Sequence, residues 1–188
     1  TAANAKLARN VAARDGGAFA LDGGSTLACA ACALEHNTAT ADGGALALAG
    51  AARADATGAR FAGNSAGANG GAVALAALAR LDLVDGANRV VANRCGAYGG
   101  GLFMANASLR VESTAAATAA ATDDGGARRR RRLAAAPDEF VANRAGVAGG
   151  ALFWNWETMG GEPSALASVA LRDNAARGYG DALATPAR

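Results

Sequence analysis

The stretch Phe61-Ala62-Gly63-Asn64, followed by Gly70-Gly71-Ala72-Val73, contains the unit that decides the fold of this chain. In this unit an apolar residue lies three positions before an asparagine, and a glycine lies six positions after that asparagine. The six copies are Leu7/Asn10/Gly16, Leu34/Asn37/Gly43, Phe61/Asn64/Gly70, Val90/Asn93/Gly99, Phe140/Asn143/Gly149 and Leu171/Asn174/Gly180. Because the offset from asparagine to glycine never changes, one structural unit is repeated along the chain.

The residues that follow the glycine have the pattern of a β-strand. Five copies continue as a Gly-Gly pair, a small residue and then apolar residues two positions apart, and the sixth copy keeps part of this pattern. Alternation with a period of two after a glycine-rich turn is typical of strands. Alanine is abundant, but a glycine pair in every copy would interrupt any long helix.

The spacing between copies indicates stacked turns of chain. Successive asparagines are 27, 27, 29, 50 and 31 residues apart, and a period in this range is typical of repeat proteins. We therefore predict an all-β chain that forms a parallel β-helix, or β-solenoid, of about six coils. The general preference for right-handed crossovers favours a right-handed coil. We expect residues 1–188 to form a single repeat domain within a longer protein.

The recurring asparagines are predicted to form a structural ladder. A side-chain amide has both a donor and an acceptor, and neighbouring strands of a sheet lie about 4.8 Å apart. Each amide can therefore bond the amide or the backbone of the next coil. The ladder residues are Asn10, Asn37, Asn64, Asn93, Asn143 and Asn174. We expect the glycine pair to serve a positive φ or a close approach of two backbones.

With these motifs the chain resembles the polymorphic outer membrane proteins, a family of bacterial autotransporter adhesins. Their repeats pair Phe-x-x-Asn with Gly-Gly-Ala-(Ile/Leu/Val). The copies at 61–73 and 140–152 match both motifs, and the other copies have Leu or Val in place of Phe. The resemblance covers residues 7 to 183. It implies a right-handed, pectin-lyase-like parallel β-helix that is extracellular or lies at the cell surface.

The widest spacing between copies predicts an insertion at residues 113–138. This segment is low in complexity and includes the consecutive arginines 128–132. Insertions in solenoids lie on one face, which often binds a partner. Arg128, Arg130 and Arg132 are therefore candidate contacts for anionic polysaccharide, phospholipid or nucleic acid. The alternative is a flexible expansion that binds nothing.

Charge and hydropathy restrict the class of partner. The formal net charge is +2, and without the five consecutive arginines it would be −3 (2 − 5). The solenoid body is therefore not a basic surface, and we expect no specific nucleic-acid partner. No run of about twenty apolar residues occurs, so we predict no membrane span.

Three oxygen-bearing residues form a candidate calcium site. Asp15, Asp42 and Asn69 each directly precede a glycine pair, so they are expected to align on consecutive coils. Ca²⁺ prefers oxygen ligands of this kind. The alternative is that Asp and Asn are ordinary turn residues before glycine. No other cofactor is predicted.

The cysteines leave three interpretations open. Cys29 and Cys32 form a Cys-x-x-Cys pair with His36 close by, whereas Cys95 is about two coils distant. Zinc binding, a disulfide and burial as small apolar side chains are each compatible with this spacing.

Outward aromatic and basic residues are the remaining candidates for a surface site. Phe103 and Phe153 are expected to point outward where earlier coils have alanine, and Trp156 lies nearby in sequence. An exposed aromatic pair would suit a sugar or a protein, unless another part of the protein covers it. Arg94 and Arg144 each follow a ladder asparagine, so they would align either to bind an acidic sugar or to be solvated.

No catalytic residues are predicted. The acidic residues occupy unrelated repeat positions, and His36 is the only histidine. We therefore expect a non-catalytic module, and the resemblance to the polymorphic outer membrane proteins implies a secreted or cell-surface protein that acts in adhesion or as a scaffold. Its partner would be a polysaccharide or another surface protein. The alternative is a pectate-lyase-like carbohydrate-active enzyme or a polysaccharide-binding module.

Overall fold

The computed structural model describes residues 1–112, 136–155 and 166–185, which form a parallel β-solenoid with four sheets. Sheet A contains β1 (Ala2–Ala3), β5 (Thr26–Ala30), β9 (Arg53–Thr57), β13 (Arg80–Val84) and β17 (Ser108–Glu112). Sheet B contains β2 (Lys6–Ala8), β6 (Ala33–Glu35), β10 (Arg60–Ala62), β14 (Arg89–Val91), β18 (Asp138–Val141) and β21 (Val169–Arg172). Sheet C contains β3 (Val11–Ala12), β7 (Thr38–Ala39), β11 (Ser65–Ala66), β15 (Arg94–Cys95), β19 (Arg144–Ala145) and β22 (Ala175–Ala176). Sheet D contains β4 (Phe19–Leu21), β8 (Leu46–Leu48), β12 (Val73–Ala76), β16 (Leu102–Ala105), β20 (Leu152–Asn155) and β23 (Leu183–Ala184).

Successive coils stack in the register that the repeat predicts. Coils 1 to 5 each contribute one strand to every sheet, in the order A, B, C, D, and coil 6 contributes β21 to β23 after a 3₁₀ helix, Leu166–Ser168. Phe61 lies opposite Leu34 on one side and Val90 on the other, and Val90 lies opposite Phe140. Every strand pairing is parallel. The predicted all-β parallel solenoid is confirmed.

The interior is filled by apolar side chains that alternate with outward residues. In sheet B, Phe61 and Phe140 are fully buried, and in sheet D the same is true of Leu46, Leu48 and Leu102. Burying one such side chain stabilises the fold by about 1.5–3 kcal/mol. Because equivalent residues stack in register, each coil extends the apolar column of its neighbour.

The two glycines of each pair have different reasons to be glycine. Gly43, the first of its pair, has a φ of +64°, a conformation that other residues adopt only with strain. A Cβ on Gly44 would overlap the carbonyl oxygen of Gly71 in the next coil and would lie 2.7 Å from the Ser65 backbone. Both predicted roles are therefore present, one in each glycine, and the backbones of sheet C and the glycine corner touch without side chains between them.

A second conformational constraint lies directly before each ladder asparagine. The residues at this position all have positive φ; they are Arg9, His36, Gly63, Ala92, Ala142 and Asp173. Only one is glycine, so the sequence motif does not reveal the constraint. A left-handed conformation costs a non-glycine residue roughly 1–2 kcal/mol. The hydrogen bonds of the adjacent asparagine offset this cost.

The structure changes one boundary of the predicted insertion. Asp138, which the spacing of the copies places in the insertion, begins β18 and pairs with Val169 of coil 6. Residues 113–135 lie outside the described residues, as do Arg128, Arg130 and Arg132. In the described part of the chain, no helix is long and apolar enough to cross a membrane.

Candidate functional site

The asparagine ladder runs through the interior, where the four central amides use both their donors and their acceptor; these belong to Asn37, Asn64, Asn93 and Asn143. Asn64 Nδ2 donates to Asn93 Oδ1 in the next coil and to the Leu34 carbonyl in the previous one, both at 2.9 Å. Asn64 Oδ1 accepts from the backbone N of Asn37 at 2.9 Å and from its Nδ2 at 3.1 Å. The same amide-to-amide bond joins Asn10 to Asn37, Asn93 to Asn143 and Asn143 to Asn174. The predicted ladder is present, and its role is structural.

A second, shorter ladder follows the three residues of the candidate calcium site. Asp15 Oδ1 accepts from the Asp42 backbone N at 3.1 Å, and Asp42 Oδ1 accepts from the Asn69 N and Nδ2 at 2.9 and 3.0 Å. Asn69 Oδ1 in turn accepts from the Tyr98 N at 3.3 Å. The three side chains do lie on consecutive coils as predicted. Their oxygens hold the corner by hydrogen bonds, and calcium binding stays a prediction.

An arginine cleft, with a volume of about 410 Å³, opens on the outer face of sheet C. Arg94 and Arg144 are register partners on β15 and β19, and Arg177 lies at the end of the cleft in coil 6. All three side chains are exposed. The alignment of Arg94 and Arg144 that the sequence suggested is therefore present, despite the insertion between them.

The floor of the arginine cleft consists of backbone and small side chains. Gly96 and Gly146 lie one above the other, and a Cβ on Gly146 would overlap the carbonyl oxygen of Gly96. Cys95 also lines the cleft, and burial raises the pKa of its thiol to about 11. The thiol is therefore uncharged at neutral pH. The remaining lining residues are Ala145, Ala175 and Ala176.

Three aromatic residues, Tyr98, Phe103 and Phe153, form a cluster outside the solenoid interior. The rings of Phe103 and Phe153 are stacked with centroids 5.8 Å apart, and Tyr98 lies 4.6 Å from Phe153. Both phenylalanines point outward as predicted, but Phe153 is only 4% exposed. The prediction of an exposed pair was wrong for Phe153, because outward rings on neighbouring coils cover one another. Trp156 lies outside the described residues.

Phe103 also borders a shallow groove on sheet D. Ala20, Ala47 and Ala74 stack in register as its floor, and Phe103 follows Ala74 in the next coil. The groove has a volume of about 260 Å³, and Asp15, Asp22 and Asp42 are among its lining residues. It therefore combines an apolar floor with acidic edges.

A charge cluster on sheet A was not predicted. Asp55 and Asp82 are register partners, and Asp82 is only 2% exposed. Arg53 Nη2 and Arg80 Nε each lie 2.7 Å from an oxygen of Asp82. The hydrogen bond to the Asp82 carboxylate raises the pKa of Arg80. The spacing of 27 residues between the two aspartates, equal to one repeat, was the signal in the sequence.

The cysteines do not assemble into a metal site. Cys29 and Cys32 are paired as a disulfide with Cα atoms 5.6 Å apart, and both are buried. Cys95 lies in sheet C, between Ala66 and Ala145. Among the residues that the structure describes, no three His, Cys, Asp or Glu side chains are grouped to hold a metal ion.

The carboxyl group of Asp138, at the start of the first strand after the insertion, is buried. Asp138 Oδ1 accepts from the backbone N and the Nδ2 of Asn88, both at 2.9 Å, whereas Asp138 Oδ2 is buried with no hydrogen-bond partner. Burial therefore raises the pKa of Asp138 above its ordinary value. Among the described residues no ion pair to this carboxyl is present, so burial shifts its balance toward the protonated form relative to an ordinary aspartate.

The arrangement defines a parallel β-solenoid with a buried asparagine ladder, a half-buried polar corner at Asp15, Asp42 and Asn69, and an outward arginine cleft. No known protein family, no curated protein and no solved structure matches the chain.

Proposed function

We propose that the chain is a non-catalytic β-solenoid module of a secreted or cell-surface protein that acts in adhesion or as a structural scaffold. The observation that carries the proposal is the use of the recurring polar residues. The ladder asparagines and the corner residues Asp15, Asp42 and Asn69 bond along the solenoid axis. Because these polar groups are already hydrogen-bonded to neighbouring coils, they suit a role in stabilising the solenoid better than a role in acid–base chemistry.

The proposed location rests on the resemblance of the repeats to the polymorphic outer membrane proteins. That family consists of surface adhesins, and its paired motifs occur in this chain at 61–73 and 140–152. A right-handed, pectin-lyase-like coil belongs to the same proposal. The partner would be a polysaccharide or another surface protein.

The second candidate is a pectate-lyase-like enzyme or a polysaccharide-binding module. The charge cluster on sheet A favours an enzyme, because Asp55 and Asp82 face arginines at short distance. Asp82, however, is almost fully buried between two guanidinium groups, which is typical of a structural ion pair. The arginine cleft favours polysaccharide binding without catalysis.

A depolymerisation assay tests the choice between module and enzyme. The chain is incubated with polygalacturonate and other acidic polysaccharides, with and without calcium, and new reducing ends and unsaturated products are measured. We expect none above background. Product formation that is abolished in Asp55→Asn or Asp82→Asn, with the fold retained, would establish an enzyme on sheet A and overturn the proposal.

Adhesion is tested separately. Beads coated with the chain are compared with albumin-coated beads for retention on surfaces that carry acidic polysaccharide or surface protein. Retention of the chain-coated beads alone is expected for an adhesin. If the chain-coated beads were retained no better than the albumin-coated beads on any surface, the adhesion role would be rejected and only the scaffold role would remain.

A further inference from the structure

We propose that the arginine cleft on sheet C binds a linear acidic polysaccharide, with Arg94, Arg144 and Arg177 contacting carboxylate or sulfate groups on the sugars. This inference rests on the proposed function as a binding module. It names the binding site and the chemistry of the ligand.

The first argument is the missing counter-charge. The structure describes eleven arginines, and seven of them lie within 4.0 Å of a carboxylate oxygen; these are Arg14, Arg53, Arg60, Arg80, Arg89, Arg110 and Arg172. Within the described residues, only Arg9 and the three cleft arginines have no such partner. Three of the four unpaired guanidinium groups therefore line one cleft, and a guanidinium group binds carboxylate or sulfate oxygens with paired N–H donors.

The second argument is the fixed placement of the backbone that carries Arg94 and Arg144. Arg94 and Arg144 each directly follow a ladder asparagine, and Asn93 and Asn143 are themselves hydrogen-bonded. Arg94 Nε also donates to Ser65 Oγ at 3.2 Å. A binding group that is held in place loses less conformational entropy when the ligand arrives.

The third argument is the distance between the charges. Neighbouring strands lie about 4.8 Å apart, so the backbone positions that carry Arg94 and Arg144 are spaced at roughly that interval along the solenoid axis. One sugar ring with its linkage spans a similar length. In an extended acidic peptide, by contrast, side chains on the same face lie about 6.6–6.8 Å apart. The interval therefore favours a polysaccharide over a peptide.

The fourth argument is the lining of the cleft. Apart from the arginines and Cys95, the lining residues are only glycine and alanine. Single-stranded nucleic acid is held largely by stacking of its bases on aromatic side chains, which this lining lacks. A flat floor of backbone at Gly96 and Gly146 instead leaves room for a sugar ring beneath the guanidinium groups.

The test measures binding of heparin and of polygalacturonate to the full chain, to Arg94→Gln/Arg144→Gln and to a matched control. The control, Arg9→Gln/Arg172→Gln, removes the same charge from outside the cleft. Oligothymidylate and polyglutamate serve as polyanions of other classes. All proteins are also prepared with Gln at 128–132, so that the second group of arginines does not contribute, and circular dichroism verifies folding.

We expect the cleft variant to bind at least one of the two polysaccharides on the order of tenfold more weakly per arginine removed, and the control to bind as the parent does. Equal binding by the cleft variant and the parent would overturn the site but leave the proposed module intact. Tighter binding of oligothymidylate or polyglutamate than of either polysaccharide would overturn the assignment of ligand class. Cleavage of the polysaccharide would instead contradict the non-catalytic function.

Discussion

The side-chain amide of Asn93 donates to Oδ1 of Asn143 at 3.0 Å, although 50 residues separate the two asparagines in sequence. The backbone N of Asn93 donates to the same oxygen at 3.1 Å. These distances match those between Asn64 and Asn93, which are only 29 residues apart. The insertion therefore leaves the ladder unchanged, and the coils before and after it stack as direct neighbours.

Removal of the insertion is expected to preserve the fold. In coil 4, three residues, Asp85-Gly86-Ala87, connect β13 to Asn88, the register equivalent of Asp138. Replacing residues 113–137 with Asp-Gly-Ala shortens the loop by about three halvings, so at roughly 0.6 kcal/mol for each halving the free energy of unfolding should rise by up to about 2 kcal/mol. Urea unfolding measures the change, with a shuffled sequence of the original length as control. Loss of a cooperative transition only in the shortened chain would show that the insertion supports the coil.

Replacement of a central ladder asparagine should destabilise the fold. Asn64→Ala leaves the buried donors of Asn37 without an acceptor and is expected to lower the free energy of unfolding by about 1–3 kcal/mol. Asn10→Ala is the matched control, because Asn10 lies at the end of the ladder and is exposed. Equal effects of the two substitutions in urea unfolding would contradict the ladder as a source of stability.

Relief of the left-handed backbone should stabilise the fold. Ala142 has a φ of 55°, so Ala142→Gly should raise the free energy of unfolding by about 0.5–1 kcal/mol, after the larger entropy of unfolded glycine is subtracted. Ala145→Gly, three residues on in β19, should instead destabilise by about 1 kcal/mol. Thermal unfolding compares the melting temperatures of the two variants with that of the parent. A change of the same sign in both melting temperatures would be inconsistent with strain at Ala142.

The buried carboxyl of Asp138 should make stability depend on pH. Its pKa is raised in the folded state, so its stabilising contribution is present at low pH and is lost as the pH rises through that raised pKa. Asp138→Asn imitates the protonated form and should flatten this decline in melting temperature. Asp173→Asn, at an exposed position of coil 6, is the control. If the melting temperature of Asp138→Asn fell with rising pH as steeply as that of the parent, another titrating group would be responsible for the decline.

The hydrogen bonds of Asp15, Asp42 and Asn69 favour the turn-residue alternative over a calcium site, so we expect calcium to have no specific effect on stability. Asp42 Oδ1 already accepts two hydrogen bonds, and Asp15 Oδ2 lies 3.3 Å from Arg14. The melting temperature should therefore change equally with calcium and with magnesium at the same ionic strength. A rise that is specific to calcium and absent in Asp42→Ala would establish the calcium site.

The repeat predicts the parts of the fold that depend on one residue type at one position. The asparagine amide and the glycine pair each have a role that few other residues can fill, so their spacing identified the solenoid, the ladder and the inward apolar residues. The residue types on the outer face are less constrained by the fold, so their contacts are harder to predict from the repeat. Asp55 and Asp82 come together because two ordinary surface positions share a register, and Phe153 is buried because its neighbours are also aromatic. These contacts depend on which residues two neighbouring coils place side by side, whereas the motif describes the residues of a single coil.

The left-handed residues before the asparagines show a different limit. Ala92 and Ala142 are ordinary alanines in the sequence, yet each has a positive φ. Local preference opposes this conformation, and the hydrogen bonds of the following asparagine impose it. A constraint that tertiary structure imposes against local preference leaves little trace in residue type.

The outward position directly after each ladder asparagine has a consequence for how such a protein can change. From coil 1 to coil 6 it carries Val11, Thr38, Ser65, Arg94, Arg144 and Ala175. The interior constrains none of these side chains, while the ladder keeps their spacing constant. Substitutions at this single position can therefore change the order of charges along the solenoid axis while the spacing of the coils and the fold stay the same.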